Sequence, residues 1–583
     1  MRNDIAGMIT LTIIISLILL LVTSAASASD WKQFQKDKYN NGVTVDKAPR
    51  TYPVENGISW AAQPTSPGLG AGFDSAFIVV DNILYVVGHD HVLRALYIEN
   101  GTQIWETSSF GGGFQIGSIA AGNGSIFVPT TSGKFFCVNM STGDVEWIAD
   151  ERIPNPSNPT AYVNYQLNTP VVYEDHRVYF GGWVPESSGI ADLCKYHCYY
   201  DNGTMCWERN TTTGSGYYWA GAAPIGDYLI YGDEAGKLVS VYKSNGTLRE
   251  ELDVSTEFSV SSDRIRSSIS YAEELKRIYF TSEGGYIYSL GLNSNGTFNT
   301  TDKQHAYISK SKSTPAVYNG RVYVGSGSVW GDSGAGLFCL NATNLSEIFW
   351  VYDNATAIQS SPVVSTAYDD GDGEVYIYFT TNVESGTVYC LNESGIEQWT
   401  YTAPPEMNQY TLQGVTISDG WLFYGNDRSY VFGLATPESL GIDIVADFSA
   451  NVTYGYAPMT VQFTDHSTGA ENWLWDFDND GIVDSTEHNP QFDYTVAGTY
   501  NVSLTVTKGP YSDSETKNHY ITINDWNPWN DPDSDDGEMI TFAEVMEAYN
   551  CFVGQTGAPK TGADIDFATV MEMYNAFVSQ TQM

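Results

Sequence analysis

Basic residues are scarce: 27 lysines and arginines stand against 69 aspartates and glutamates, a formal net charge of −42 over 583 residues. That deficit argues against nucleic acid or an anionic membrane surface as partner, since both are held through clustered Lys and Arg; calcium or a basic surface suits the chain better. Cysteine is scarce too. Seven are too few for a disulfide scaffold in so long a chain, no two are adjacent, and no Cys-x-x-Cys-His offers a haem attachment. The eight histidines show no metal or triad spacing. The apolar run at the start, Met8 to Val22, falls short of the ~20 residues that span a bilayer.

With Arg2 before it and Ala26-Ser27-Ala28 after it, that run reads as a secretory signal over residues 1–28, an uncleaved anchor being the alternative. The rest is expected outside the cell. Asn-x-Ser/Thr sequons agree with that address, among them Asn100, Asn202, Asn245, Asn354 and Asn501, and many fall in turns where a glycan is tolerated.

One strand pattern is written eight times: NILYVVG from Asn82, GSIFVPT from Gly124, HRVYFGG from His176, DYLIYGD from Asp227, KRIYFTS from Lys276, GRVYVGS from Gly320, GEVYIYF from Gly373 and GWLFYGN from Gly420. Most copies are followed by a turn, a second strand such as LFCLN, another turn and a final strand. Four turns share Gly-x-x-x-Trp, at Gly101–Trp105, Gly143–Trp147, Gly203–Trp207 and Gly395–Trp399. Short aromatic and β-branched strands at this period, without helical patterning between them, predict a four-stranded antiparallel sheet per repeat and hence a β-propeller over residues 31–436. Eight blades are expected, with seven the alternative. The last copy lacks its final strand, and the stretch around Trp60 precedes the first copy, so the N-terminal strand is expected to complete the last blade.

These repeats resemble the PQQ-like β-propeller family, as does the opening Asp30-Trp-Lys-Gln-Phe-Gln35. Quinone-dependent dehydrogenases of that family use an adjacent cysteine pair, a calcium and an Asp base; without the pair, the resemblance argues against PQQ here. Cys137, Cys339 and Cys390, with Cys198 as a fourth case, recur at one place in the second strand and read as core packing, as do the repeated tryptophans. Cys194, Cys198 and Cys206 cluster in an insertion from Trp183 to Cys206, which suits one disulfide bridge, or a metal if His197 joined them. Insertions on propellers commonly sit on a binding face.

From Gly441 the repeats stop and alternating strands follow up to about residue 524, as in a two-sheet sandwich. Trp475-Asp-Phe-Asp-Asn-Asp-Gly481, Asn489-Pro490 and Tyr494 resemble a PKD domain, an immunoglobulin-like module of cell-surface proteins. DFDNDGIVDSTE from Asp476 fits the calcium-loop spacing of an EF-hand, but it starts in a strand and lacks flanking helices. Asp476, Asp478, Asp480 and Asp484 remain calcium ligands in expectation; a turn held by Asx hydrogen bonds is the alternative.

The strongest helical pattern comes last, duplicated at an offset of 25: ITFAEVMEAYNCF from Ile540 and IDFATVMEMYNAF from Ile565. Phe542, Val545, Met546, Tyr549 and Phe552 recur at spacings of three and four and predict a buried face against the twin helix. The acidic loop Asp531, Asp533, Asp535 and Asp536, with Glu544, is expected to form an irregular calcium site, a calcium-free helical hairpin being the alternative; the second copy has no such loop. The pair, over 525–583, resembles a dockerin, which implies docking onto a cohesin-like protein through Tyr549-Asn550 and Tyr574-Asn575. Together these modules predict an exported, non-catalytic cell-surface protein of archaeal type: a propeller that recognises protein or glycan, a PKD spacer and an attachment module. The alternatives are a quinoprotein-like or polysaccharide-active enzyme and a structural coat component.

Overall fold

Each of the eight aromatic patterns forms the second of four antiparallel strands, from Ile83–Val87 in the first blade to Trp421–Gly425 in the last. The structure, a computed structural model, describes residues 30–579 except 54–57, 65–71, 74, 113–116, 157, 186–192, 262–263, 329–330, 443, 510, 525–539 and 559–563. The signal segment and the acidic loop with Asp531, Asp533, Asp535 and Asp536 lie outside the described residues. The chain divides into two compact units, Met1–Gly441 and Ile442–Met583.

Among the described residues of the first unit, six four-stranded sheets take their strands in chain order, the seventh gains Val43–Thr44 as a fifth, parallel strand, and the eighth borrows its fourth from the other end: Trp60–Ala62 pairs with Val431–Leu434, Trp60 opposite Gly433. The propeller therefore has eight blades, and the borrowed strand closes the ring between the last blade and the first. Second and third strands are buried almost end to end, for example Tyr228–Gly232 and Lys237–Tyr242, because the neighbouring blades cover both faces.

One register recurs from blade to blade. A small residue on the third strand faces an aromatic on the second: Cys137 opposite Phe127, Cys198 opposite Tyr179, Cys339 opposite Tyr323 and Cys390 opposite Tyr378. On the fourth strand the same row carries Trp147, Trp207, Trp350 and Trp399. The cysteines thus sit on third strands rather than second, because a three-residue inner strand that shows no pattern of its own precedes each repeat.

Three of these indoles reach into the next blade, while Trp399 donates to Pro49 O of the N-terminal segment at 2.9 Å. Trp147 donates Nε1–H to Asp201 O at 2.8 Å, Trp207 to Lys243 O at 2.8 Å and Trp350 to Glu393 O at 3.0 Å. The glycine of Gly-x-x-x-Trp receives the indole of the preceding blade: a Cβ on Gly203 would lie 2.9 Å from Trp147 Cγ. The motif is a pair of half-staples, one glycine that accepts and one tryptophan that is passed on.

Residues 31–44 run along the inner strands and tie the blades in turn. Trp31 bridges Val79 of the first blade, Ala121 N–H of the second donates to Lys32 O at 2.7 Å, and Tyr173 N–H of the third to Gln33 Oε1 at 2.9 Å. Asn40 Nδ2 donates to Ala222 O at 2.8 Å and Ile269 O at 3.0 Å, at the fourth and fifth blades. Asn41 exchanges hydrogen bonds with Val317 of the sixth, and Val43–Thr44 pairs in parallel with Val363–Ser365 of the seventh.

The second unit contains a sandwich of a three-stranded and a four-stranded sheet around buried Phe448, Phe463, Trp475, Phe477, Val502 and Leu504. It also contains two helices, Phe542–Gly554 and Phe567–Ser579, packed on each other. Their shared core is Ile540, Val545, Ala548 and Cys551 with Ile565, Val570, Met573 and Ala576, the same positions at the offset of 25. This corrects the expected buried face: Val545 is buried, but Phe542, Met546 and Tyr549 are 56%, 41% and 45% exposed. The small Ala548 and Cys551 of the first helix make room for the buried Met573 of the second and leave the larger side chains of the first outside. Among the described residues no helix is long and apolar enough to cross a membrane.

Candidate functional site

The propeller axis opens into a funnel lined by Asn168, Trp219, Arg266, Lys312 and Gln359, with Phe34 of the N-terminal segment among its walls. These residues precede the inner strands of successive blades, so the ring converges their side chains. Arg266 pairs both edges with carboxylates, Nη2 to Glu234 Oε2 at 2.7 Å and Nη1 to Glu283 Oε1 at 3.0 Å. Lys312 Nζ lies 3.6 Å from Glu283 and 4.6 Å from the Trp219 ring centroid, and burial holds its pKa below that of an ordinary lysine. Arg264 approaches the same two glutamates at 3.7 and 3.8 Å. In so acidic a chain, three cations gather at one mouth. Sequence reasoning missed them because Lys312 lies about one repeat after Arg264 and Arg266 and shares no motif with them.

The helical pair presents the other notable surface. Phe542, Met546, Tyr549 and Val553 form an exposed stripe at helical spacing, and Phe567, Met571, Tyr574 and Val578 repeat it. The ring pairs Phe542–Phe577 and Phe552–Phe567 lie 5.7 and 5.8 Å apart, exchanged by the same offset of 25, so the two stripes are related by approximate twofold symmetry. Asn550 and Asn575 are exposed beside the tyrosines. Glu544 closes a capping box, Oε2 accepting from Thr541 N–H at 2.6 Å.

In the sandwich, Asp476, Asp478 and Asp484 bring one oxygen each within 4.8 Å of the others. Asp480 does not join them; its Oδ1 accepts from Ile482 N–H at 2.8 Å. Asp476 also accepts from Gly481 N–H at 2.8 Å and Asp484 from Phe477 N–H at 2.7 Å, so side-chain to backbone hydrogen bonds hold the loop, with strand and turn in place of EF-hand helices.

The structure joins no two of Cys194, Cys198 and Cys206 in a disulfide. Cys194 packs with Cys137 and Phe180, whereas Cys198 packs with Tyr179 and Trp207 on the other face of the sheet. Burial pushes the thiols of Cys137 and Cys339 up to about 12 and about 11. His197 turns away from Cys198 as well, toward Glu151 and Glu208. Of the sequons, Asn100, Asn202, Asn245 and Asn354 are exposed, while Asn501 is half-buried and accepts from His519 N–H at 2.7 Å.

Residues 53–183 and 90–352 match the family profile PQQ_2, described as outer membrane protein assembly factor BamB, and residues 443–523 match that of the PKD domain. No curated protein matches the chain. Among solved structures, it is similar to a europium-containing methanol dehydrogenase at 11% identity and a TM-score of 0.50, covering 68% of this chain and 89% of that one. It is similar to the quinohemoprotein alcohol dehydrogenase ADHIIG of Pseudomonas putida HK5 at 11% identity and a TM-score of 0.51, covering 70% and 80%. BamB from Moraxella catarrhalis aligns at 12% identity and a TM-score of 0.44, over 64% and 97%. At these identities the likeness is one of fold. The overlapping repeat matches span more than half of the sequence, and the chain belongs to the PQQ_2 family of β-propeller proteins, with a PKD domain following its propeller.

Proposed function

We propose that this is an exported, non-catalytic surface protein that attaches to a protein partner through its C-terminal helical pair, with the propeller as recognition platform and the PKD domain as spacer. The observation that carries it is the doubled stripe of Phe542, Met546, Tyr549 and Val553 with Phe567, Met571, Tyr574 and Val578. Eight large apolar side chains left in water on so small a module, in two matching stripes, are exposed apolar surface of the kind that marks an interface. A PQQ-like propeller and a PKD domain fit a surface or accessory protein that works by protein interaction. Calcium enters this reading through Asp476, Asp478 and Asp484, as a brace for the sandwich loop.

The dehydrogenase reading draws on the cations of the funnel, but the fit to PQQ is poor. That cofactor is a tricarboxylate, and Arg264, Arg266 and Lys312 already face Glu234 and Glu283, which leaves about one net positive charge. No adjacent cysteine pair exists in the sequence. Fluorescence titration of the purified chain with PQQ tests this: saturable quenching of tryptophan with dye-linked alcohol turnover would favour the enzyme.

Docking is tested by placing a photo-crosslinking side chain at Tyr549 or at Tyr574 in the full chain within its native envelope. Both positions are expected to capture the same protein. Capture of nothing, or of a second copy of this chain, would overturn the attachment role.

A further inference from the structure

We infer that His197, Glu151 and Glu208 form a divalent transition-metal site between the second and third blades. Glu151 follows the outer strand Val145–Asp150 of the second blade, while His197 and Glu208 face each other across two strands of the third, in register. Each offers one atom, and the three atoms lie within 4.8 Å of one another.

The imidazole carries the case. His197 is fully buried, and its Nδ1 has no hydrogen-bond partner, which is costly for a polar atom in a packed interior. Nδ1 points to Glu151 Oε2 at 3.5 Å, beyond hydrogen-bond length. Two ligands of a tetrahedral ion with bonds of about 2.0–2.2 Å stand about 3.3–3.6 Å apart, so the gap fits an intervening metal.

The surroundings are arranged as metal sites require. Nε2 lies 3.1 Å from Tyr165 Oη; donating its proton there leaves the Nδ1 lone pair facing the carboxylates. The ring is stacked on Phe180 with centroids 5.0 Å apart, which fixes its plane. Tyr199 O–H donates to the second oxygen of Glu151, and Lys195 Nζ holds Glu208 Oε1 at 2.6 Å. A pocket lined by Arg152, Pro154, Leu193 and Lys195 opens onto the site and gives an ion its path in and room for a further ligand. One nitrogen and two carboxylates suit zinc or a similar first-row ion and disfavour calcium, which takes oxygen alone.

The test uses the full, untagged chain. After exhaustive chelation it is dialysed against Zn²⁺, and bound metal is counted, with Co²⁺ substitution giving a visible spectrum that reports nitrogen and oxygen ligation. One equivalent is expected on the wild type, retained in Asp476→Asn/Asp484→Asn and lost in Glu208→Gln, whose exposed position spares the core. Tyr165→Phe should weaken binding by about 10- to 100-fold, the usual effect of removing the partner of a ligating histidine. A chain that binds no zinc, or whose stoichiometry and cobalt spectrum ignore Glu208→Gln and His197→Gln, would overturn the assignment.

Discussion

The indole of Trp147 lies on Gly203 of the next blade and donates its Nε1–H to Asp201 O at 2.8 Å. Gly203 has φ of +85°, a conformation a side chain resists, and a Cβ would meet the ring. Gly203→Ala should therefore lower stability by more than about 1 kcal/mol. Gly124→Ala, at φ of +78° with nothing within 4 Å, isolates the backbone part. Urea unfolding of both variants checks this, and equal losses would mean that the indole contact adds nothing.

Asn40 is buried and satisfies two carbonyls of neighbouring blades with one amide. Asn40→Leu leaves Ala222 O and Ile269 O without that donor, a loss of about 1–3 kcal/mol for each group left dry. Hydrogen exchange should then quicken along the inner strands Ala223–Ile225 and Ser270–Ala272 before it does elsewhere. A uniform change over all blades would deny the N-terminal segment its clasping role.

The thiols of Cys137 and Cys339 are buried and pushed up to about 12 and about 11, so at pH 8 almost no thiolate is present and none is accessible. A colorimetric thiol reagent should find them unreactive in the native chain and reactive after unfolding. Fast native labelling at these positions would contradict the packing role.

Burial raises the Asp233 carboxyl to about 6, although it accepts from Ala235 N–H and Lys237 N–H. An acid whose folded pKa exceeds its unfolded value of about 3.9 holds its proton more tightly when folded. Its contribution is intact below about pH 4 and is lost as pH rises through about 6. The melting temperature of the wild type relative to Asp233→Asn should fall across that window and level off above it. A flat difference would show that Asp233 titrates normally.

Much of this architecture is legible in the sequence because second and third strands repeat aromatic and small residues at fixed register, as Tyr323 and Cys339 do. The inner strands were illegible: three residues such as Val363–Ser365 carry no period. The ring closure at Trp60 could be read because the last repeat is one strand short. In the helical pair the apolar pattern runs over two faces, and size decided between them: Ala548 and Cys551 turn inward where the larger Phe542 and Tyr549 cannot pack as closely. His197 sits in an obvious cysteine cluster, yet the alternation of its strand sends it to the opposite face from Cys198, toward Glu208 across the hairpin and Glu151 of the preceding blade.

The most direct test of attachment compares how firmly the full chain is retained on envelopes of its own cells, as wild type and as Met546→Glu/Met571→Glu. Both methionines are exposed, so the substitutions should change stability by no more than about 0.5 kcal/mol, which a melting curve verifies. Docking through the helical pair predicts that the wild type stays with the envelope and the folded double variant washes off. Equal retention of the two would contradict it.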